Sequence, residues 1–114
     1  MIRLKTVNIE LGKPSVHEAL VRLASEMAAA RHEGHQLLKI IHGYGSSGTG
    51  GDIRIAIQGH LQKMDTSGEI RGSIHGEDWS KSNEQTWRLI SSHPDLKNDS
   101  DLGRRNRGIT IVLL

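Results

Sequence analysis

The sequence predicts an α/β fold. It is a two-layer sandwich in which a four-stranded mixed sheet carries two main helices on one face. The order is β-α-β-α-β-β, with a short helical insertion before the last strand. Three observations carry this. The run Leu37-Leu38-Lys39-Ile40-Ile41 lacks apolar alternation and reads as a strand buried on both faces. A capped helical pattern precedes it, and a glycine-rich turn opening a second helical pattern follows it, so the first two strands are parallel and joined by a right-handed crossover. The run Ile109-Thr110-Ile111-Val112-Leu113-Leu114 is rich in β-branched and aliphatic residues and reads as a further strand.

In chain order, Ile2 to Leu11 alternates loosely and predicts the first strand, stopped by Gly12 and Pro14. Ser15-Val16-His17-Glu18 fits a capping box, and Val16, Ala19, Leu20, Leu23 and Met27 recur at helical spacing. Gly34 is the C-terminal stop. A second helix starts near Asp52, with Ile53, Ala56, Ile57, Leu61 and Met64 as its apolar stripe. Asp65 to Gly68 is a turn, and Glu69 to Ile74 is read as a third strand. A short helix is expected from Asn83 to Ser91, ended by His93-Pro94. Asp95 to Arg107 reads as irregular, and Trp79 and Trp87 as anchors of this segment onto the domain.

The 114 residues fit one domain, 1–114. With no Phe, one Tyr and two Trp, the core is aliphatic. The absence of Cys excludes a disulfide framework and thiolate metal sites, which is compatible with a cytoplasmic location. No apolar run approaches the roughly 18–20 residues that span a bilayer, and the N-terminus lacks a signal-peptide core, so no membrane partner is expected. The formal charge of +2 says little about partners, and nothing in the sequence sets an oligomeric state. The distribution of charge is more informative: Arg104, Arg105 and Arg107 cluster before the last strand, with Lys97 upstream.

Gly43-Tyr44-Gly45-Ser46-Ser47-Gly48-Thr49-Gly50-Gly51, following His42, carries the densest chemical signal. Glycines allow positive φ and close backbone approach to a ligand. A helix N-terminus presents free N–H groups to an anion. A Walker A loop would need Lys where Thr49 follows Gly48. Gly43-x-Gly45-x-x-Gly48 does spell a dinucleotide fingerprint, but the acid at the expected distance, Asp65, precedes the turn into the next strand, and the chain is short for that fold.

A third reading takes His42 together with the loop. Ile40-Ile41-His42-Gly43-Tyr44-Gly45 resembles the H-G-x-G motif of the small MutS-related (Smr) domain family. So do the Glu18-Ala19-Leu20 run in the first helix and the closing Gly108-Ile109-Thr110-Ile111-Val112-Leu113 strand. The resemblance covers residues 1–74 and 108–114, with 75–107 as an insertion relative to the compact family form. It implies nucleic-acid binding, to DNA or RNA, and in several members endonuclease activity. The family's L-D-x-H-G segment is altered: Asn8 stands for its Asp, Glu10 for its His, and Gly12 falls one place late.

The candidate site follows. His42 is the expected general base or acid, with Glu10 as a second acid–base group. Gly43, Gly45 and Gly48 would turn backbone amides to a phosphate, and Tyr44 would stack on a base. Ser46, Ser47 and Thr49 add hydroxyls. Arg54, in the first turn of the second helix, and the Arg104, Arg105 and Arg107 cluster add cations. The alternatives are an inactive interaction module with the same fold, or a small-nucleotide binder at the loop. His17, His32, His35, His60, His75 and His93 make no H-x-x-x-H or H-E-x-x-H spacing, so neither a metal nor a cofactor is expected.

Overall fold

A computed structural model describes residues 4–43 and 49–114. Strand β1 (Leu4–Asn8) leads through helix α1 (Val16–His32) to β2 (Leu37–Ile41), and helix α2 (Thr49–Thr66) leads to β3 (Gly72–His75). A 3-10 turn (Gly76–Asp78), helix α3 (Glu84–Ser92) and a second 3-10 turn (Pro94–Asn98) precede β4 (Ile109–Leu113). The sheet order is β1-β2-β4-β3. β1 and β2 are parallel, and β4 runs antiparallel to both β2 and β3. The carboxyl ends of β1, β2 and β3 therefore share one edge of the sheet, together with the start of β4 and the start of α2.

Local sequence explains the helix ends. The capping box is formed: Ser15 Oγ accepts from the Glu18 amide and Glu18 Oε1 accepts from the Ser15 amide. Gly34 takes φ +81° and lets the His35 amide return to Ala30 O, closing α1. Gly68 does the same for α2, with the Glu69 amide returning to Met64 O. This return shortens the third strand from the expected start at Glu69 to Gly72, because Glu69 still belongs to the helix cap. The first strand is likewise shorter than expected, and residues 1–3 of that reading lie outside the described residues.

Register assigns the side chains to two cores. Leu38, Ile40 and Val112 face α1 and α2, packing on Leu23, Met27, Ile57 and Leu61. Leu37, Ile109 and Ile111 face the opposite way, onto Trp79, Ile90 and Leu96. α1 and α2 share one face as expected. The other face is covered by α3 and the two 3-10 turns, which strands buried on both sides require. Trp79 is fully buried there, whereas Trp87 is half exposed.

Lys39 is the one charged residue of β2, and it points into this second core with 4% exposure. Its ammonium donates to Asp99 Oδ1 at 2.8 Å and to Asp101 Oδ2 at 2.7 Å. Trp79 Nε1 donates to Asp99 Oδ2, and Asn106 Nδ2 to Asp101 Oδ1, each at 3.0 Å. Burial pushes the Lys39 ammonium down, but its bonds to Asp101 and Asp99 outweigh this and hold it above its ordinary value. Burial raises Asp101, and the Asn106 and Lys39 hydrogen bonds more than reverse that. Every charged group in the cluster has a hydrogen-bonding partner, which makes its burial tolerable. The cluster also ties the Asp99–Asn106 segment, and the arginines within and beside it, to the middle of the sheet.

Candidate nucleic-acid interface

The shared carboxyl edge gathers residues from four strands. In open α/β sheets ligands bind in this position, outside the carboxyl ends of parallel strands. From β1 come Asn8 and Glu10: Asn8 Oδ1 accepts from the Glu10 amide at 3.0 Å, a local turn that directs the chain off the sheet. From β2 come His42 and Gly43. From β3 come His75, Gly76 and Glu77. Arg107 and Gly108 lead into β4.

His42 is fully buried at this edge, with 0% exposure. Its Nδ1 lies 2.6 Å from Gly43 O and its Nε2 lies 2.9 Å from Thr110 Oγ1. A carbonyl only accepts, so Nδ1 carries the proton and donates, and Nε2 accepts from the Thr110 hydroxyl. Burial holds the imidazole below its ordinary pKa. The Gly43 carbonyl opposes this, and Arg54 and His75 reinforce it. The ring expected to serve as a general base or acid is thereby enclosed, and both of its nitrogens are bonded within the protein.

The amides of His42 and Gly43 are engaged as well. Both donate to Gly108 O, at 2.9 and 3.0 Å. This corrects the assignment of the Gly43 amide to a phosphate. A glycine is still favoured there, because the backbone sits at φ +75°, with the movable Glu10 carboxylate beside it. Tyr44, Gly45, Ser46, Ser47 and Gly48 lie outside the described residues, as does the side chain of Thr49, whose backbone opens α2.

Glu10 is exposed at the edge, beside Gly43. Arg54, from the first turns of α2, reaches Glu77 with Nη2 3.5 Å from Oε2. Arg107 approaches the same oxygen from the other side, with Nε at 3.9 Å. Two arginines far apart in sequence thus converge on one carboxylate next to the His42-Gly43 turn. Arg104 and Arg105 are exposed on the same loop, Arg105 in the left-handed backbone region at φ +55°. A groove of about 450 Å³ joins Arg105 to Glu77 and to the start of α3 at Asn83.

The sequence reading missed Glu77, His75 and Gly76 as members of this edge. Their signal was present: His75-Gly76 repeats the dipeptide His42-Gly43, and the two pairs end the strands on either side of β4. Gly76 packs so tightly that a Cβ there would lie 1.7 Å from Asn106 O. Lys39 was also missed as the anchor of the arginine loop, although a charge inside an apolar strand was its mark. Among the described residues no group of three or more His, Asp or Glu is placed to hold a metal ion, and no helix is long and apolar enough to cross a membrane.

Neither the families of known domains nor the curated proteins yield a match to this sequence. Among solved structures, the chain is similar to the Smr domain of Thermus thermophilus MutS2. The two share 22% identity and a TM-score of 0.58, with 96% of each chain covered.

Proposed function

We propose, from the Smr-type fold that this chain adopts, that it binds nucleic acid at the carboxyl edge of its sheet. The observation that carries this reading is the convergence of Arg54 and Arg107 beside the His42-Gly43 turn, with Arg104 and Arg105 exposed on the same loop. Guanidinium groups suit phosphate geometry, and a row of them along one edge tracks a polyanionic backbone. His42 acts here as a positioning residue. Its bonds to Thr110 and Gly43 hold the turn from which the glycine-rich loop departs.

Fluorescence anisotropy with single-stranded and duplex DNA and RNA, across a salt series, tests this. Arg107→Ala weakens binding and reduces the slope of log K against log salt by about 1, as loss of one phosphate contact requires. Salt-independent binding, or an unchanged slope in both Arg107→Ala and Arg54→Ala, overturns the reading.

A second reading, strand cleavage, rests on Glu10, the exposed carboxylate at the edge. Cleavage needs a proton-transfer group within reach of the phosphate, and Glu10 is free to meet one where the enclosed His42 is not. Loss of cleavage in Glu10→Gln, with binding retained, supports it. Cleavage that survives Glu10→Gln removes Glu10 from that role.

A further inference from the structure

At the opposite edge of the sheet from Gly43, the start of β2 and the end of β4 floor a second groove. Its volume is about 410 Å³, within the range of pockets that enclose a small ligand. Leu89 and Leu113 contribute apolar surface, and Arg31, His35, Arg71 and His93 stand around it. Among the described residues no Asp or Glu lines it. A neighbouring hollow shares Arg71, Leu89, His93 and Leu113 and adds Arg88. Arg88 is paired there with Glu84, so among the described residues the unpaired cation of the groove is Arg71.

Two features mark the groove as open to a ligand. His35 lines it and is only part-buried. Arg71 lies in no ion pair within the described residues, although its backbone is fixed by its amide bond to Leu113 O. Part of the charge has a local explanation. Arg31 caps the region after α2 by donating to Glu69 O at 2.6 Å, and it favours the carbonyl end of α1. That explanation does not reach Arg71. An anion near the carbonyl ends of α1 and α3 also meets an adverse dipole, so the affinity expected is modest.

We propose that this groove binds a phosphate monoester carried on a flat apolar group, that is, a nucleotide, with Arg71 and His35 on the phosphate and Leu89 and Leu113 under the base. A guanidinium fork and an imidazole N–H are matched donors for a phosphate dianion. The leucines offer a surface that inorganic phosphate does not use. This site is separate from the His42-Gly43 turn and does not depend on the reading of the other edge.

The test is a titration of the isotope-labelled chain, followed by amide NMR shifts, with AMP, adenosine and inorganic phosphate up to about 10 mM, the weak-binding range. The expected result is saturable shifts at Gly34, His35, Arg71 and Leu89 with AMP, at least several-fold tighter than with adenosine or phosphate. Arg71→Ala, a change at an exposed side chain, weakens AMP binding about tenfold or more while the remaining spectrum keeps its dispersion. The proposal is overturned by the absence of saturable shifts at this edge, by shifts confined to Gly43 and Gly108, or by equal affinity for AMP and phosphate. Oligonucleotide binding at the arginine edge is read separately in the same Arg71→Ala protein, so failure of one site does not mask the other.

Discussion

His42 Nε2 lies 2.9 Å from Thr110 Oγ1, across the seam between β2 and β4 and under the helical face of the sheet. Through this bond the ends of two strands hold the departure of the glycine-rich turn. Replacing Thr110 with Val keeps the shape and removes the donor. It leaves a buried ring nitrogen without a partner, for which about 1–3 kcal/mol of stability is lost. Urea unfolding of Thr110→Val measures this; a midpoint equal to the parent's would show that the bond contributes nothing.

Burial holds the folded His42 below its ordinary pKa, which fixes the sign of a pH effect. Between the ordinary histidine value near 6.5 and the lower folded value, the unfolded chain binds a proton that the folded chain does not. The contribution is therefore fully present above about pH 6.5 and is lost as pH falls through the folded value. Urea midpoints measured from pH 7.5 down to 5 should decline, and His42→Asn should flatten that decline from a lower starting stability. A parent protein as stable at pH 5 as at 7.5 would contradict the assignment.

Lys39 pairs with both Asp99 and Asp101 in the second core. Lys39→Met leaves the two carboxylates adjacent without a cation and costs about 3–5 kcal/mol. Combining it with Asp99→Asn and Asp101→Asn should recover part of the loss, because no buried charge is then left alone. Calorimetry on the single and triple variants reads the difference. Since this cluster tethers the arginine loop, the single variant should also bind oligonucleotides more weakly at a temperature where it remains folded.

Two glycines make a paired prediction. Gly59 lies within α2 with no atom near a built Cβ, so Gly59→Ala should stabilise by about 0.5–1 kcal/mol. Gly76 has Asn106 O at 1.7 Å and Ile109 Cγ1 at 2.7 Å from the same position. Gly76→Ala must displace backbone, and a loss of about 3 kcal/mol or an insoluble product is expected. Thermal unfolding of the pair distinguishes a helix-propensity effect from a close approach.

Glu77 sits between Arg54 and Arg107 and offsets both. Glu77→Gln should therefore tighten oligonucleotide binding several-fold at low salt, with the gain shrinking as ionic strength rises. Asp78→Asn, at an exposed neighbour, serves as a control for simple removal of negative charge. Equal gains in the two variants would show that Glu77 holds no special position.

Much of the frame was legible because it is written in local periodicity. Ser15 and Glu18 announced the capping box, Gly34 the end of α1, and the unbroken apolar run at Leu37–Ile41 a strand covered on both faces. The order of elements then required the parallel β1–β2 pair. The His42-Gly43 turn was legible as the point where β2 ends, and its glycine takes the positive φ that such a turn needs.

What local patterning does not contain is which groups satisfy which. The sequence alone determined that an imidazole and several glycines stand at a strand end, and that arginines gather before the last strand. Only the tertiary structure decided that Gly108 O takes the turn's amides, that Thr110 encloses the imidazole, and that Glu77 draws Arg54 and Arg107 together. Likewise, only folding showed that Lys39 meets Asp99 and Asp101, residues about sixty positions later in the chain. The physical reason is common to all of these. Helix and strand periods are set by neighbours a few residues apart, whereas a buried hydrogen bond or ion pair is set by where the sheet register brings distant polar groups once water has been removed.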